Sequence, residues 1–281
     1  VVNVSEPFGR TCEGDRVTRA LVLGGGGVAG IAWTTGVVAG LYAEGVDVRD
    51  ADVLIGTSAG STVGAQLTSG TPVEDLYARQ LDEHHGEISV EVDTTELIAM
   101  MTDLGDDVEP YSAAHRARVG AFALAAKTVP EQRRRAVIEW RLPSHDWPEA
   151  PLRIVAVDAE SGAERIFDKA SGVGLVDAVA ASCAVPGIWP PVTIGDRRYV
   201  DGGVRSFTNL DLADGYDTVL VIAPIVEPGV TVPNGLLITP DEASQEAIGV
   251  NALDPSTRPG AAKAGRAQAA QLVGSVRQLW A

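Results

Sequence analysis

The sequence predicts an α/β fold, a parallel or mixed sheet with helices on both faces. Short apolar strand patterns alternate along the chain with helical ones, and glycine-rich turns follow three of the strands: Gly24 to Gly27, Gly56-Thr57-Ser58-Ala59-Gly60 and Asp201-Gly202-Gly203. In such a sheet, ligands bind beyond the carboxyl ends of the strands, where these turns lie.

The elements follow in order. VTRALVL, residues 17 to 23, reads as a strand that runs into four glycines, and AGIAWTTGVVAGLYAEG after them as a small-residue helix. The β-branched run Val53 to Ile55 is a second strand, which enters GTSAG and then the helical STVGAQLTSG. From about 72 to 140 the chain turns to charged, helix-favouring segments with Asp, Thr, Ser and Pro at plausible starts, and this reads as a mostly helical insertion. Strand character returns at Leu152 to Val157, with AERIFDK as a hairpin or adjacent partner. LVDAVAASCAVP reads as a helix that Pro186 helps to end, RYVDGG as a short strand, and DTVLVIAP as a buried parallel strand. LLITP is a further short strand, only about a dozen residues on, fewer than an ordinary parallel crossover requires, so either the connection is shortened or residues are absent from it; a terminal helix fills about 260 to 280.

The chain has 281 residues, enough for one large α/β domain to bury a core without disulfide or metal. Cys12 and Cys183 match neither a disulfide framework nor a zinc spacing, and read as a loop residue and a buried thiol in a reducing, cytoplasmic setting. With 22 basic against 38 acidic side chains the net charge is −16, which repels nucleic acid and anionic membrane surfaces. The one basic run, Arg133 to Arg135, reads as a solvated helix face. No stretch approaches the ~18 apolar residues of a membrane span, and residues 1 to 16 read as a polar tail without a signal peptide's apolar segment.

GGGVAG at 25 to 30 fits G-x-G-x-x-G, so a dinucleotide site competes for it. The acid that binds a ribose should end the next strand, whereas Asp47, Asp50 and Asp52 precede it. A P-loop would need Lys and Ser or Thr where Ile31 and Ala32 stand. The other use of such a loop is to aim the N–H groups of Gly25, Gly26 and Gly27 at an oxyanion. GTSAG lies between a strand and a helix, the setting of a nucleophile elbow, with Ser58 as nucleophile; an ordinary N-cap serine is the plainer reading. The histidines are His84, His85, His115 and His145, and none follows Asp201, as a Ser, acid, His order would require. They read as solvated or structural. That leaves a carboxylate as base, and Asp201 sits in a strand-to-glycine turn; an ordinary Asp, with a pKa of about 3.9, would need a desolvated pocket for that work.

Gly25 to Gly30, Gly56 to Gly60 and Asp201 to Gly203, in that order, resemble the patatin-like phospholipases, over roughly residues 18 to 240. The resemblance implies a three-layer α/β/α sandwich with a mostly parallel central sheet, a single hydrolase domain over 17 to 281, and acyl ester hydrolysis by a Ser58–Asp201 dyad without cofactor or metal. AVAASCAVPGIWPPV looks like the family's substrate-side loop, which makes Pro186 and Trp189 substrate-binding candidates. Ala29 stands where family members often carry Arg or Lys, so a cation beside the loop is missing. Leu97, Ile98, Met100, Met101, Phe122 and Leu124 are candidates for an acyl-chain pocket or lid. The expected partner is a lipid or other acyl ester, met without a stable membrane anchor and at most by transient interfacial contact. A nucleotide-binding oxidoreductase and a lipid-binding regulator without turnover remain the alternatives.

Overall fold

The computed structural model describes residues 16–83, 86–104 and 108–281, so Cys12, most of the 1–16 tail, His84 and His85 lie outside the described residues. β1 (Arg19–Leu23) leads to α1 (Gly27–Ala43), and β2 (Val53–Thr57) to α2 (Ala59–Leu67). Four helices precede the next strand: α3 (Val73–Leu81), α4 (Thr94–Asp103), α5 (Ala113–Ala125) and α6 (Glu131–Arg141). Then come β3 (Leu152–Asp158), β4 (Glu164–Phe167), α7 (Leu175–Ser182), β5 (Val192–Ile194), β6 (Arg197–Asp201), β7 (Thr218–Ile222), β8 (Gly235–Ile238), α8 (Glu242–Ile248) and α9 (Arg258–Trp280).

The strands form one mixed, mostly parallel sheet in the order β5-β6-β3-β2-β1-β7-β8, with β4 also on β3. β1, β2, β3, β7 and β8 run parallel; β4 and β6 are antiparallel to β3, and β5 to β6. β7 and β8 pair directly although residues 223–234 between them hold no helix, so a loop makes the short crossover.

Side chains alternate across the sheet. Leu21 and Leu23 face α1, α2, α7 and α9, whereas Ala20 and Val22 face the segments around Leu210 to Tyr216 and Val226 to Val232. On that second face helix α5 covers the end of β3 through Val119 and Ala123. Both faces of β1 are dry, which is why the strand reads as a continuous apolar run. The small residues of α1 let a second helix approach: a Cβ on Gly36 would lie 2.1 Å from the Ala262 carbonyl oxygen of α9, and one on Gly265 2.3 Å from that of Trp33.

One edge of β3 positions the site. Pro151 accepts the Leu54 N–H of β2, and Ala159 donates to the Arg198 carbonyl of β6. Residues 151 and 159 differ by an even number and so face the same edge. β6 therefore takes over that edge where β2 leaves it for the turn after Thr57, and the end of β6 meets that turn.

The basic run is corrected by the structure. Arg133 is solvated, but Arg134 turns inward and is only 5% exposed, with its guanidinium 3.9 Å above the Trp189 ring. Arg135 pairs with Asp177 and Glu139. Three consecutive residues cannot share one face of a helix, and the middle one falls on the side that carries Val137, Ile138 and Arg141.

Candidate active site

Gly25, Gly26, Gly27, Ser58, Pro186 and Asp201 line one apolar cleft of about 60 Å³. It is lined further by Thr94, Leu97, Ile98 and Met101 of α4 and by Val204, Phe207 and Leu253. Of the remaining pocket candidates, Met100 and Leu124 are exposed, and Phe122 packs beneath Gly187. Trp189 is buried with the Arg134 guanidinium over its ring, and it lines an adjoining recess that shares Gly27, Ser58, Val185 and Leu253 with the cleft.

The strand-to-helix turn holds Ser58 at φ 51° and ψ −113°, outside the regions that L-residues favour, at a cost of roughly 1–3 kcal/mol. Tight packing maintains it. A Cβ on Gly60 would lie 1.9 Å from the Leu23 carbonyl oxygen, and one on Gly56 2.6 Å from Ser61 Cα. Ser58 stands at the N-cap of α2, yet its side chain makes no capping bond. The backbone does the anchoring instead: the Ser58 N–H donates to Ser182 Oγ at 2.9 Å, and its carbonyl accepts from Ser61 Oγ and Cys183 Sγ. Burial pushes the Cys183 thiol up, so it stays protonated as a donor.

Asp201 ends β6, fixed by its own N–H to Ala184 O and by Oδ1 accepting the Gly203 N–H at 2.8 Å. Oδ2 is buried and has no hydrogen-bond partner among the described residues. Desolvation pushes the Asp201 carboxyl up to about 7, against the Gly203 N–H, the Ser58 side chain and the Arg134 charge, which all act to lower it. This is the environment that a carboxylate base requires.

In the glycine loop, the Gly25 N–H is committed to Phe207 O at 2.8 Å. Of the three amides expected from the sequence to face an oxyanion, that of Gly25 is thus engaged, whereas Gly26 and Gly27 N–H have no acceptor among the described residues, and neither has the Ala59 N–H beside Ser58. Ala59 was findable, because an elbow offers the amide of the residue after the nucleophile. Gly27 takes φ 64°, and a Cβ there would lie 2.5 Å from Ala252 O.

Asn209 carries no motif signal. It is fully buried in the left-handed region, and its Nδ2 donates to Thr57 Oγ1 at 2.9 Å, to Ser206 O at 2.7 Å and to Gly202 O at 3.4 Å. It thus ties the residue before Ser58 to the residue after Asp201.

His115 is buried with its ring nitrogens at Met101 O and the Tyr111 N–H, and His145 bonds Glu139 O; neither lines the cleft. Asp47, Asp50 and Asp52 lie before β2, at the end of the sheet opposite Ser58, where they bond Arg49, Trp280 and Arg19. No ribose-binding acid serves the glycine loop from there. Among the described residues no group of three His, Cys, Asp or Glu side chains is set to hold a metal, and no helix is long and apolar enough to cross a membrane.

Residues 21–214 match the family model described as patatin-like phospholipase. Among solved structures, VipD from Legionella pneumophila is similar over 92% of this chain and 67% of its own, at 13% identity and a TM-score of 0.48. The type III effector protein ExoU is similar over 93% of this chain and 53% of its own, at 16% identity and a TM-score of 0.41.

Proposed function

Because this chain belongs to the patatin-like phospholipase family, we propose that it is a serine acyl ester hydrolase working through a Ser58–Asp201 dyad. The observation that carries this reading is the strained Ser58, whose side chain makes no capping bond, in one apolar cleft with an unbonded, desolvated Asp201 oxygen.

In the proposed reaction Asp201 Oδ2 takes the Ser58 Oγ proton as the oxygen attacks the ester carbonyl. The N–H groups of Gly26, Gly27 and Ala59 receive the oxyanion, each such donor being worth roughly 3–4 kcal/mol in the transition state. The alcohol leaves with the proton held by Asp201. Water, deprotonated by the same carboxylate, then cleaves the acyl-enzyme to a free acid. An aspartate that titrates near neutrality can both accept and return the proton, as general acid–base catalysis requires. Ser182, Asn209 and the Cys183 thiol act as positioning residues, holding the two turns in register.

The apolar wall formed by Leu97, Ile98, Met101 and Pro186 takes the acyl chain, and α4 forms one side of that passage. A lipid substrate reaches it by apolar contact or as dispersed monomers, since the net charge of −16 opposes adsorption on anionic bilayers.

A series of p-nitrophenyl esters from acetate to palmitate tests the reading. Turnover lost in both Ser58→Ala and Asp201→Asn supports it. Full activity in Asp201→Asn would remove the dyad, and lipid binding without any turnover would leave a binding protein.

A further inference from the structure

The glycine loop is supported by a stretch of chain that carries no motif. Residues 223–234 join β7 to β8 without a helix, and their first turn lies against the site. Pro224 packs on Gly26, where a Cβ would come within 2.4 Å of Pro224 Cβ, and Ile225 lines the apolar cleft. Two residues on, the half-buried Glu227 accepts the Phe207 N–H through Oε1 at 2.5 Å. Its Oε2 is buried with no hydrogen-bond partner among the described residues. Withholding a carboxylate oxygen from water costs free energy, so the bond that Oε1 makes has to offset that burial. The 206–207 peptide is gripped at both ends. Its N–H goes to Glu227, and its carbonyl, Ser206 O, accepts Asn209 Nδ2 at 2.7 Å, the same amide that reaches Thr57 beside Ser58. An N–H bonded to a charged acceptor is held strongly, and it polarises the peptide toward a stronger bond at the carbonyl end. The next carbonyl, Phe207 O, accepts the Gly25 N–H at 2.8 Å. The Phe207 ring spans the two turns as well: a Cβ on Gly25 would lie 3.7 Å from it, and one on Gly203 3.5 Å.

We propose that Glu227 is a positioning residue for the hydrolysis: by fixing Phe207 it places Gly25, and with Gly25 the aim of the Gly26 and Gly27 amides that follow. The inference rests on the acyl hydrolase reading and adds to it a residue that lies outside the lining of the cleft. The short β7 to β8 connection thereby gains a role, since Pro224 and Glu227 brace the glycine loop from the same turn. Amides that receive charge only in the transition state contribute to kcat and little to substrate binding, so loosening them lowers kcat and leaves KM nearly unchanged. What the loop needs from position 227 is an acceptor of the right reach. A glutamine supplies one, whereas an aspartate is too short.

The test measures hydrolysis of p-nitrophenyl butyrate by the wild type, Glu227→Ala, Glu227→Asp and Glu227→Gln, and follows amide hydrogen exchange at Gly25 by NMR in the same proteins. The expected result is a kcat at least about tenfold lower in Glu227→Ala and Glu227→Asp, with KM moving less than about twofold, and Glu227→Gln within about threefold of the wild type. The Gly25 amide should exchange at least about tenfold faster in the Ala and Asp variants and near the wild-type rate in Glu227→Gln. Glu227→Asp keeps the charge and withdraws the carboxylate by one methylene, so it still reports if Glu227→Ala does not fold. Unchanged kcat in the folded variants, a rise in KM at constant kcat, or a Glu227→Gln as impaired as Glu227→Asp overturns the role while leaving the hydrolase reading intact. So does a fall in kcat with Gly25 exchange unmoved, because the effect would then not pass through Phe207. If the wild type cleaves no member of the p-nitrophenyl series, the hydrolase reading fails, and exchange at Gly25 decides the rest alone. Acceleration in Glu227→Ala and Glu227→Asp that Glu227→Gln lacks keeps Glu227 as the brace of the loop; exchange indifferent to position 227 overturns it.

Discussion

Asn209 and Thr57, 152 positions apart in the chain, are joined by a 2.9 Å side-chain hydrogen bond that links the turn bearing Ser58 to the turn after Asp201. Removing the amide leaves buried acceptors unmet, at about 1–3 kcal/mol. Asn209→Gly keeps the left-handed backbone while deleting the bonds, and should lower both urea stability by that amount and ester kcat by at least about tenfold. Unchanged kcat in a folded Asn209→Gly protein would show that the two turns hold register without it.

Ester hydrolysis should follow the ionisation of Asp201. With its carboxyl pushed up to about 7 by burial, log kcat/KM should rise with unit slope below about pH 7 and level off above it. A profile already flat from pH 5 would contradict a buried aspartate as base.

The same shift carries a stability cost with a definite sign. The unfolded chain releases this proton near 3.8 and the native protein near 7, so between those values the native state binds more protons and stability falls as pH rises. Asp201→Asn, neutral throughout, should therefore gain on the wild type from pH 4 to pH 8, by up to the order of 4 kcal/mol. Thermal unfolding of both proteins at the two pH values measures the gap, which should be smallest at the acid end.

Two glycine-to-alanine changes should act in opposite directions. At Gly60 the added methyl would sit 1.9 Å from the Leu23 carbonyl oxygen, which forces the turn from β1, so Gly60→Ala should fail to accumulate as folded protein or lose more than about 3 kcal/mol. At Gly274, within α9, the methyl meets nothing, and Gly274→Ala should gain about 0.5–1 kcal/mol. Urea denaturation of both variants distinguishes a packed glycine from a merely helical one.

The two strand–turn–helix units around Gly24 to Gly27 and Gly56 to Gly60 were legible because local pattern and tertiary role agree there: apolar run, glycine turn, small-residue helix. The short β7 to β8 connection was legible as an anomaly, and a loop crossover is its physical form. Other features depend on which residues meet in space. Arg134 lies in a run of three arginines that reads as solvent-facing, and only the packing of α6 beside Trp189 selects the middle one for burial. Asn209 looks like any turn residue until β6 brings Gly202 beside the end of β2. The Gly25 N–H matched the oxyanion pattern as well as its neighbours did, and it is the distant Phe207 carbonyl that engages it.

Covalent labelling with a fluorophosphonate, read by intact-protein mass and peptide mapping, asks whether Ser58 is the nucleophile and Asp201 its base. One adduct per chain is expected, located on Ser58, absent in Ser58→Ala and strongly slowed in Asp201→Asn. An adduct on another residue, or labelling of Asp201→Asn at the wild-type rate, would contradict it.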